Sequence, residues 1–83
     1  MSKLVIVTGA TKGLGLEITK QLTLNGYYVV GISREISDDF SQLMKSHKSS
    51  LHFHPFDFFN TKLISNLAKE IVQMHGRPYA LIN

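Results

Sequence analysis

Thr8-Gly9-Ala10-Thr11-Lys12-Gly13-Leu14-Gly15 is the stretch that decides the fold, because it places three glycines between an apolar run and a segment with helical spacing. The run Leu4-Val5-Ile6-Val7 before it predicts a buried strand, and Leu14, Ile18 and Leu22 predict the apolar stripe of a helix. A helix N-terminus offers unpaired N–H groups and a partial positive charge, and glycines let a pyrophosphate approach the backbone without meeting a Cβ. The stretch therefore predicts a nucleotide-binding turn.

Predicted strands and helices alternate along the rest of the chain with short connections, which is typical of βαβ units on a parallel sheet. We predict strands over 4–8, 28–33, 51–56 and 79–82. The predicted helices run from Gly13 to a left-handed cap at Asn25-Gly26, from a cap at Ser37-Asp38-Asp39 to about His47, and from Asn60 or Thr61 to Gly76. Right-handed crossovers give an α/β fold, a doubly wound parallel sheet in the strand order 3-2-1-4.

Length and composition restrict the class of protein. The 83 residues leave room for one domain, and 43% hydrophobic with 18% charged residues is ordinary for a globular protein. The absence of cysteine excludes disulfides, thiolate catalysis and cysteine-based zinc sites. The net charge of +3 is scattered along the chain, so we expect no nucleic-acid partner. No apolar run approaches about 20 residues and Lys3 leads straight into a strand, so we expect no membrane segment and a cytoplasmic location.

The spacing Gly-x-x-x-Gly-x-Gly, with Thr8 in front, resembles the cofactor motif of the short-chain dehydrogenase/reductase family. Further residues occur in the order seen in that family: Gly26 ends the first helix, Ser33-Arg34 ends the second strand, Asp57 follows the third, and Leu81-Ile82-Asn83 ends the fourth. The resemblance implies that residues 1–83 are the N-terminal part of a single NAD(P)-binding Rossmann domain, truncated after the fourth strand. We therefore expect a fragment whose open sheet edge makes it self-associate or fold loosely.

The resemblance also implies a dinucleotide site made of Gly9, Thr11, Lys12, Gly13, Leu14, Gly15, Ser33, Arg34, Asp57, Phe58 and Asn83. In this site the backbone N–H of Leu14 donates to the pyrophosphate. Asp57 accepts from the adenine amino group while the N–H of Phe58 donates to the ring. A turn or helix-cap role for Asp57, ahead of Asn60, is the alternative. Asn83 is expected to support the adenosine side through its backbone and to brace its strand.

Ser33 and Arg34 bear on the choice of cofactor. NAD-preferring members of the family carry an acid where this chain has Ser33, and the carboxylate accepts from both ribose hydroxyls. A small hydroxyl leaves room for a 2′-phosphate, the Arg34 guanidinium can pair with it, and Lys12 adds a second cation. The prediction is that NADP(H) is preferred over NAD(H). In the alternative, Arg34 is a solvated charge paired with Glu35.

Histidines and phenylalanines around the third strand raise two other possibilities. His52 and His54 alternate and therefore share one face, but no third ligand has suitable spacing. We interpret them as solvated or edge-protecting side chains, with no metal site. The aromatic run is interpreted as core and cofactor-pocket wall, not a platform for nucleic acid: Phe53, Phe56, Phe58 and Phe59.

The family's catalytic set is a Ser, a Tyr-x-x-x-Lys pair and an Asn on a later helix, and no tyrosine here has a lysine four residues on. No catalytic residue is assigned. The resemblance implies an NADP(H)-dependent oxidoreductase acting on a small carbonyl or alcohol substrate, a homodimer or homotetramer when complete. One alternative is a catalytically inactive nucleotide-binding or redox-sensing module. Another is a mononucleotide or phosphosugar binder, which Arg34 and Asp57 disfavour.

Overall fold

A computed structural model describes residues 3–83 as one parallel sheet with helices on both faces. The elements are β1 (Leu4–Thr8), α1 (Gly13–Leu24), β2 (Tyr28–Ser33), α2 (Asp38–Ser46), β3 (Leu51–Pro55), a 3-10 turn (Thr61–Leu63), α3 (Ile64–His75) and β4 (Ala80–Ile82). The strand order is β3-β2-β1-β4, all parallel, so the predicted α/β fold and its order are confirmed. The third strand is one residue shorter at its end than predicted, and the fourth begins one residue later.

Alternating residues of β1 and β2 form two separate cores, one on each face of the sheet. On the first face, α3 covers a cluster of Leu4, Ile6, Val30, Ile32, Leu67 and Ile71. On the second face, α1 and α2 cover Val5, Val7, Ala10, Val29, Phe40 and Leu51. Burial on both faces explains why β1 is a continuous apolar run without polar alternation.

Helix α1 buries a different stripe from the one that was predicted. Leu14 is 77% exposed, so its place in the apolar stripe is wrong, while Ile18 and Leu22 pack against the second core as expected. The fully buried positions of the helix are Thr19 and Thr23. Their hydroxyls donate to backbone carbonyls one turn earlier, at 2.8 Å for Thr19 and 3.1 Å for Thr23. Because these bonds satisfy the hydroxyls, the small side chains can face the sheet at low cost.

Helix α2 is fixed at its start by a cap and by one ring. Ser37 is the N-cap, as predicted, and its hydroxyl accepts from the backbone N–H of Phe40 at 3.1 Å. The Phe40 ring is fully buried and lies over Gly31 of β2. A Cβ on Gly31 would stand 2.7 Å from two ring carbons, so this strand position has to be glycine for the ring to pack there. The packing of the Phe40 ring on Gly31 therefore fixes the position of the start of α2.

Helix α3 starts later than predicted. Neither Asn60 nor Thr61 caps it: a 3-10 turn intervenes, the Asn60 side chain makes no capping bond, and α3 begins at Ile64. Its end at Gly76 is confirmed by a left-handed φ of 92°. On its apolar face, Leu67 and Ile71 are buried, whereas the flanking residues Leu63, Ile64 and Val72 are exposed.

Strand β4 pairs with β1 alone among the described strands, in the register Val5↔Ala80 to Val7↔Ile82. Its outward side chain Leu81 is 60% exposed, and Tyr79 just before it is also exposed. Apolar side chains are therefore exposed at this edge of the sheet. Within residues 3–83, no helix has the length and apolar character needed to cross a membrane.

Candidate functional site

The glycine-rich turn connects the carboxyl end of β1 to the start of α1 and is tied to the next strand. The N–H of Gly9 donates to the carbonyl oxygen of Ile32 at 2.8 Å. A Cβ on Gly15 would fall far inside van der Waals contact with the Gly9 carbonyl, so the first turn of α1 can lie on the loop only because Gly15 has none. The turn thus has the close backbone packing that the sequence predicted.

The N-terminus of α1 offers free donors. Within residues 3–83, the backbone N–H groups of Gly13, Leu14 and Gly15 have no hydrogen-bond partner, as expected for the first turn of a helix. The first turn carries no acidic residue, and Lys12 stands at the N-cap with an extended backbone and no side-chain cap. Three donors, the positive end of the helix dipole and a lysine therefore surround one point at which an anion is stabilised.

Two cations meet in one pocket beside this turn. Lys12 and Arg34 both line a pocket of about 310 Å³ together with Ser33, and Glu35 also lies on its wall. Within residues 3–83, an ion pair joins His54 to Glu70 and none joins Arg34 to Glu35, so the pairing considered as the alternative is absent. Two unneutralised cations and a hydroxyl in one concave site suit a doubly charged anion such as a phosphate monoester.

Hydroxyl groups join the three segments that surround this pocket. The buried Thr11 donates from its hydroxyl to Ser33 Oγ at 3.2 Å. The Ser37 hydroxyl, which caps α2, donates to the backbone carbonyl of Thr11. The glycine-rich turn, the end of β2 and the start of α2 are thus held together through Thr11. Sequence reasoning missed the contribution of Ser37, because the contact spans 26 positions and no local spacing reveals it.

A second pocket, of about 330 Å³, lies next to the first and shares Ser33 and Arg34 with it; its other lining residues are Gly9, Ile32, Phe56, Phe58 and Phe59. Phe56 and Phe58 meet edge to face with ring centroids 5.1 Å apart. This wall is largely aromatic, as the sequence suggested for Phe56, Phe58 and Phe59. Phe53, in contrast, packs against Phe40 in the second core.

Asp57 closes the turn that carries these rings. Its Oδ1 accepts from the backbone N–H of Phe59 at 2.9 Å, and its carbonyl accepts from the N–H of Asn60 at 3.0 Å. The turn role considered as the alternative for Asp57 is therefore present. The second carboxylate oxygen makes no recorded bond, and the N–H of Phe58 has no partner within residues 3–83. One acceptor and one donor remain free beside each other, the pair that the edge of an adenine requires.

Asn83 lies at the opposite side of the glycine-rich turn from Asp57. Its Oδ1 accepts from the Thr8 hydroxyl at 2.8 Å, and the same hydroxyl is 3.4 Å from the carbonyl oxygen of Ile82. The Asn83 side chain thus ties the end of β4 to the end of β1. Thr8 thus contributes to the packing of the strands, and it lines neither of the two pockets.

His52 and His54 share the face of β3 that α3 covers. Both are half-buried, so the expectation of solvated side chains is wrong, while the edge-protecting role on the edge strand β3 stays a prediction. His52 stacks on Tyr28 with ring centroids 4.9 Å apart, and His54 Nε2 lies 3.3 Å from Glu70. The Tyr28 hydroxyl is 3.0 Å from Nδ1 of His75, and burial raises the pKa of this tyrosine.

Two of these histidines act on the third, His75. Burial, followed by the charges of His52 and His54, lowers the pKa of His75. Across residues 3–83, no three His, Asp or Glu side chains form a group that could hold a metal ion. The cluster lies below the 56–60 turn, on the face of the sheet opposite to α1 and α2. It is therefore part of the packing of α3 and does not line either pocket at the carboxyl ends of the strands.

Comparison with known proteins agrees with this geometry. The chain is 34% identical over 82 residues to salutaridine reductase from Papaver somniferum and 32% identical over 84 residues to (+)-neomenthol dehydrogenase from Arabidopsis thaliana. These matches cover 94% of this chain in each case, but 26% and 28% of the two relatives. The solved structure of salutaridine reductase superposes with a TM-score of 0.81 at 32% identity, over 95% of this chain and 28% of that one.

A short-chain dehydrogenase from Streptomyces avermitilis superposes with a TM-score of 0.88 at 23% identity, over 98% of this chain and 29% of that one, and shows the same fold. The chain thus spans between a quarter and a third of the length of these proteins. The family model described as short chain dehydrogenase matches residues 3–83. The match covers nearly the whole chain, including the glycine-rich turn and both pockets, and it places this protein in the short-chain dehydrogenase family.

Proposed function

We propose that residues 1–83 are the dinucleotide-binding part of an NADP(H)-dependent oxidoreductase that interconverts a ketone and a secondary alcohol by hydride transfer. The observation that carries the cofactor choice is the pocket in which Lys12, Ser33 and Arg34 meet without a carboxylate bound to either cation. The fold alone does not distinguish NAD from NADP, since similar structures have been solved in complex with each of them. The preference for NADP(H) therefore rests on the side chains of this pocket.

The residues present fit such a cofactor. No atom lies within 4 Å of the position that a Cβ would take on Gly9 or on Gly13, so the backbone of the turn is open to a pyrophosphate. The unpaired N–H groups at the start of α1 would hold that group, with Leu14 among them. Lys12, Ser33 and Arg34 would hold the 2′-phosphate, while Asp57, Phe58 and Asn83 would hold the adenosine. When bound, the cofactor supplies or accepts the hydride.

The carbonyl or alcohol substrate and the assembly into a homodimer or homotetramer remain proposals, as does a cytoplasmic location. No side chain of this stretch is assigned to proton transfer. In this proposal, the described residues bind and orient the cofactor. The type of reaction is inferred from the similarity to salutaridine reductase and (+)-neomenthol dehydrogenase. The similarity to these oxidoreductases does not favour the alternative of a catalytically inactive nucleotide-binding module.

The test is a titration of the chain with NADPH and with NADH, followed by nicotinamide fluorescence, which no tryptophan obscures. We expect tighter binding of NADPH. Arg34→Asp removes a charge-assisted bond to the phosphate and should cost about tenfold or more in NADPH affinity with little change for NADH. Arg77→Asp is the matched control, because Arg77 precedes β4 at the opposite end of the sheet. An NADPH to NADH ratio that Arg34→Asp leaves unchanged contradicts the assignment.

A further inference from the structure

Phe59 is the most exposed of the large apolar side chains, with 89% of its surface open to solvent. The backbone turn that carries Phe59 is held by hydrogen bonds. It is closed by the bond from the Phe59 N–H to Asp57 and by the bond from the N–H of Asn60 to the Asp57 carbonyl. The backbone thus presents an aromatic ring to water at a fixed place, which forgoes the free energy of burying it. The exposed ring also lines the pocket that Arg34, Phe56 and Phe58 share, so its exposure falls at a concave site and not at an isolated surface position.

The place where the ring is presented is the apolar pocket beside the phosphate site. Phe59 and Arg34 line this pocket together, and Arg34 also belongs to the pocket of the two cations. A ligand that fills both must carry a flat apolar group within a few bonds of a phosphate. We propose that Phe59 is a stacking residue whose ring packs on the adenine of the bound dinucleotide. This inference rests on the proposed function and adds to it a binding residue outside the glycine-rich turn.

The neighbouring rings of Phe56 and Phe58 are less available for stacking on a base. Phe56 is half-buried and packs on the first core. Phe58 is 42% exposed, but its ring already meets Phe56 edge to face. Within residues 3–83, Phe59 has no aromatic partner, so its face is the one still open to a base. Base stacking on an aromatic side chain contributes about 1–3 kcal/mol by alanine substitution, a factor of about 5 to 150 in affinity.

The experiment uses the whole 83-residue chain, which contains no tryptophan. In the variant Phe59→Trp, the new side chain is therefore the only tryptophan and reports on its own surroundings by fluorescence. The titrant is adenosine 2′,5′-bisphosphate, which has no nicotinamide, so any change in emission comes from the adenosine half. We expect saturable quenching in Phe59→Trp. The matched control is Met74→Trp, an exposed apolar position on α3 away from both pockets, and its emission should not respond.

Affinity provides the second readout. Phe59→Ala should weaken NADPH binding at least about fivefold, and Phe59→Tyr, which keeps the ring, should restore it. NADPH binding that is equal in the wild type and in Phe59→Ala, with no quenching of Phe59→Trp, overturns this inference and leaves the proposed function standing. Quenching that follows protein concentration instead of nucleotide also overturns it, because a second copy of the chain is then what covers the ring. If the wild type binds neither NADPH nor the bisphosphate, it is the proposed function that fails.

Discussion

Gly31 lies against Ala10 of the glycine-rich turn and against Phe40 of α2, and replacing it with alanine tests how the pocket of Lys12 and Arg34 is supported. The new Cβ would stand 2.7 Å from Cε2 and Cζ of Phe40 and 3.0 Å from Cβ of Ala10. Ordinary contact begins at 3.4 Å, so the ring has to recede by about 0.7 Å, although it is fully buried and has no free space. Ala10 belongs to the glycine-rich turn, and Phe40 fixes the start of α2. Both would be displaced.

The size of the effect follows from overpacking. Forcing an extra methyl group into a packed core costs about 1–3 kcal/mol. Alanine loses less conformational entropy on folding than glycine does, which offsets about 0.5–1 kcal/mol of that cost. We therefore expect Gly31→Ala to lower the free energy of unfolding by about 1–2 kcal/mol, or Tm by about 4–16 °C for a domain of this size. Because Ala10 moves as well, NADPH binding should weaken although Gly31 itself lies outside the pocket.

A double-mutant cycle separates this cause from a general loss of stability. Phe40→Leu removes the ring carbons that the new Cβ would meet, so Gly31→Ala should cost little in that background. Urea unfolding of the wild type, both single variants and the double variant, followed by circular dichroism, measures the coupling. We expect the double variant to lose less stability than the sum of the two single losses, by about 1 kcal/mol or more. Additive effects within about 0.3 kcal/mol would refute the packing argument, because the two groups would then not share space.

Three further predictions concern other contacts. The lowered pKa of His75 means that below pH 6.5 the unfolded chain binds more protons than the folded one, so stability is full above that pH and falls below it. Tm measured from about pH 7.5 to 5 should show this fall, and His75→Gln should reduce it. Thr8→Val removes the bond to Asn83 and should cost about 0.5–1.5 kcal/mol in urea unfolding, whereas Thr8→Ser should keep it; equal losses would contradict the role of the hydroxyl. Gly15→Ala pushes α1 off the Gly9 carbonyl and misplaces the free N–H groups at its start, which should weaken NADPH binding by about tenfold or more; wild-type affinity would show that the close approach is not needed.

The parts of this structure that the sequence predicts are those encoded by local pattern. The glycine spacing, the apolar run of β1 and the cap at Ser37 each lie within a few residues, and the right-handed crossover rule orders the strands from them. The inner face of α1 was predicted wrongly because hydropathy favours leucine over threonine. Thr19 is buried all the same, since its hydroxyl bonds to its own helix and its small side chain lets α1 approach the sheet.

Contacts between distant segments account for the other differences. His52 looked like an edge residue because β3 is the edge strand, and no spacing shows that α3 crosses over it and brings His75 to within 5.2 Å of its ring. The contact of Ser37 with Thr11 is of the same kind. The sequence therefore leads to a prediction of cofactor-contacting residues, whereas the residues that position them are visible only in the fold, because their partners are distant in sequence.

The two faces of the sheet support two different halves of the candidate site. Behind the second core, Phe40 and Gly31 hold the start of α2 and the glycine-rich turn, which carry the cations and the free N–H groups. Behind the first core, Phe56 packs against the cluster that α3 covers and anchors the turn that presents Phe59. Under the proposed function, we therefore expect a change in the packing of α3, such as a substitution of His75, to affect the aromatic pocket that Phe56 and Phe59 line. We expect a change at Gly31 to affect the pocket of Lys12 and Arg34, so perturbing each face in turn tests whether the base and the phosphate are bound by separate parts of the site.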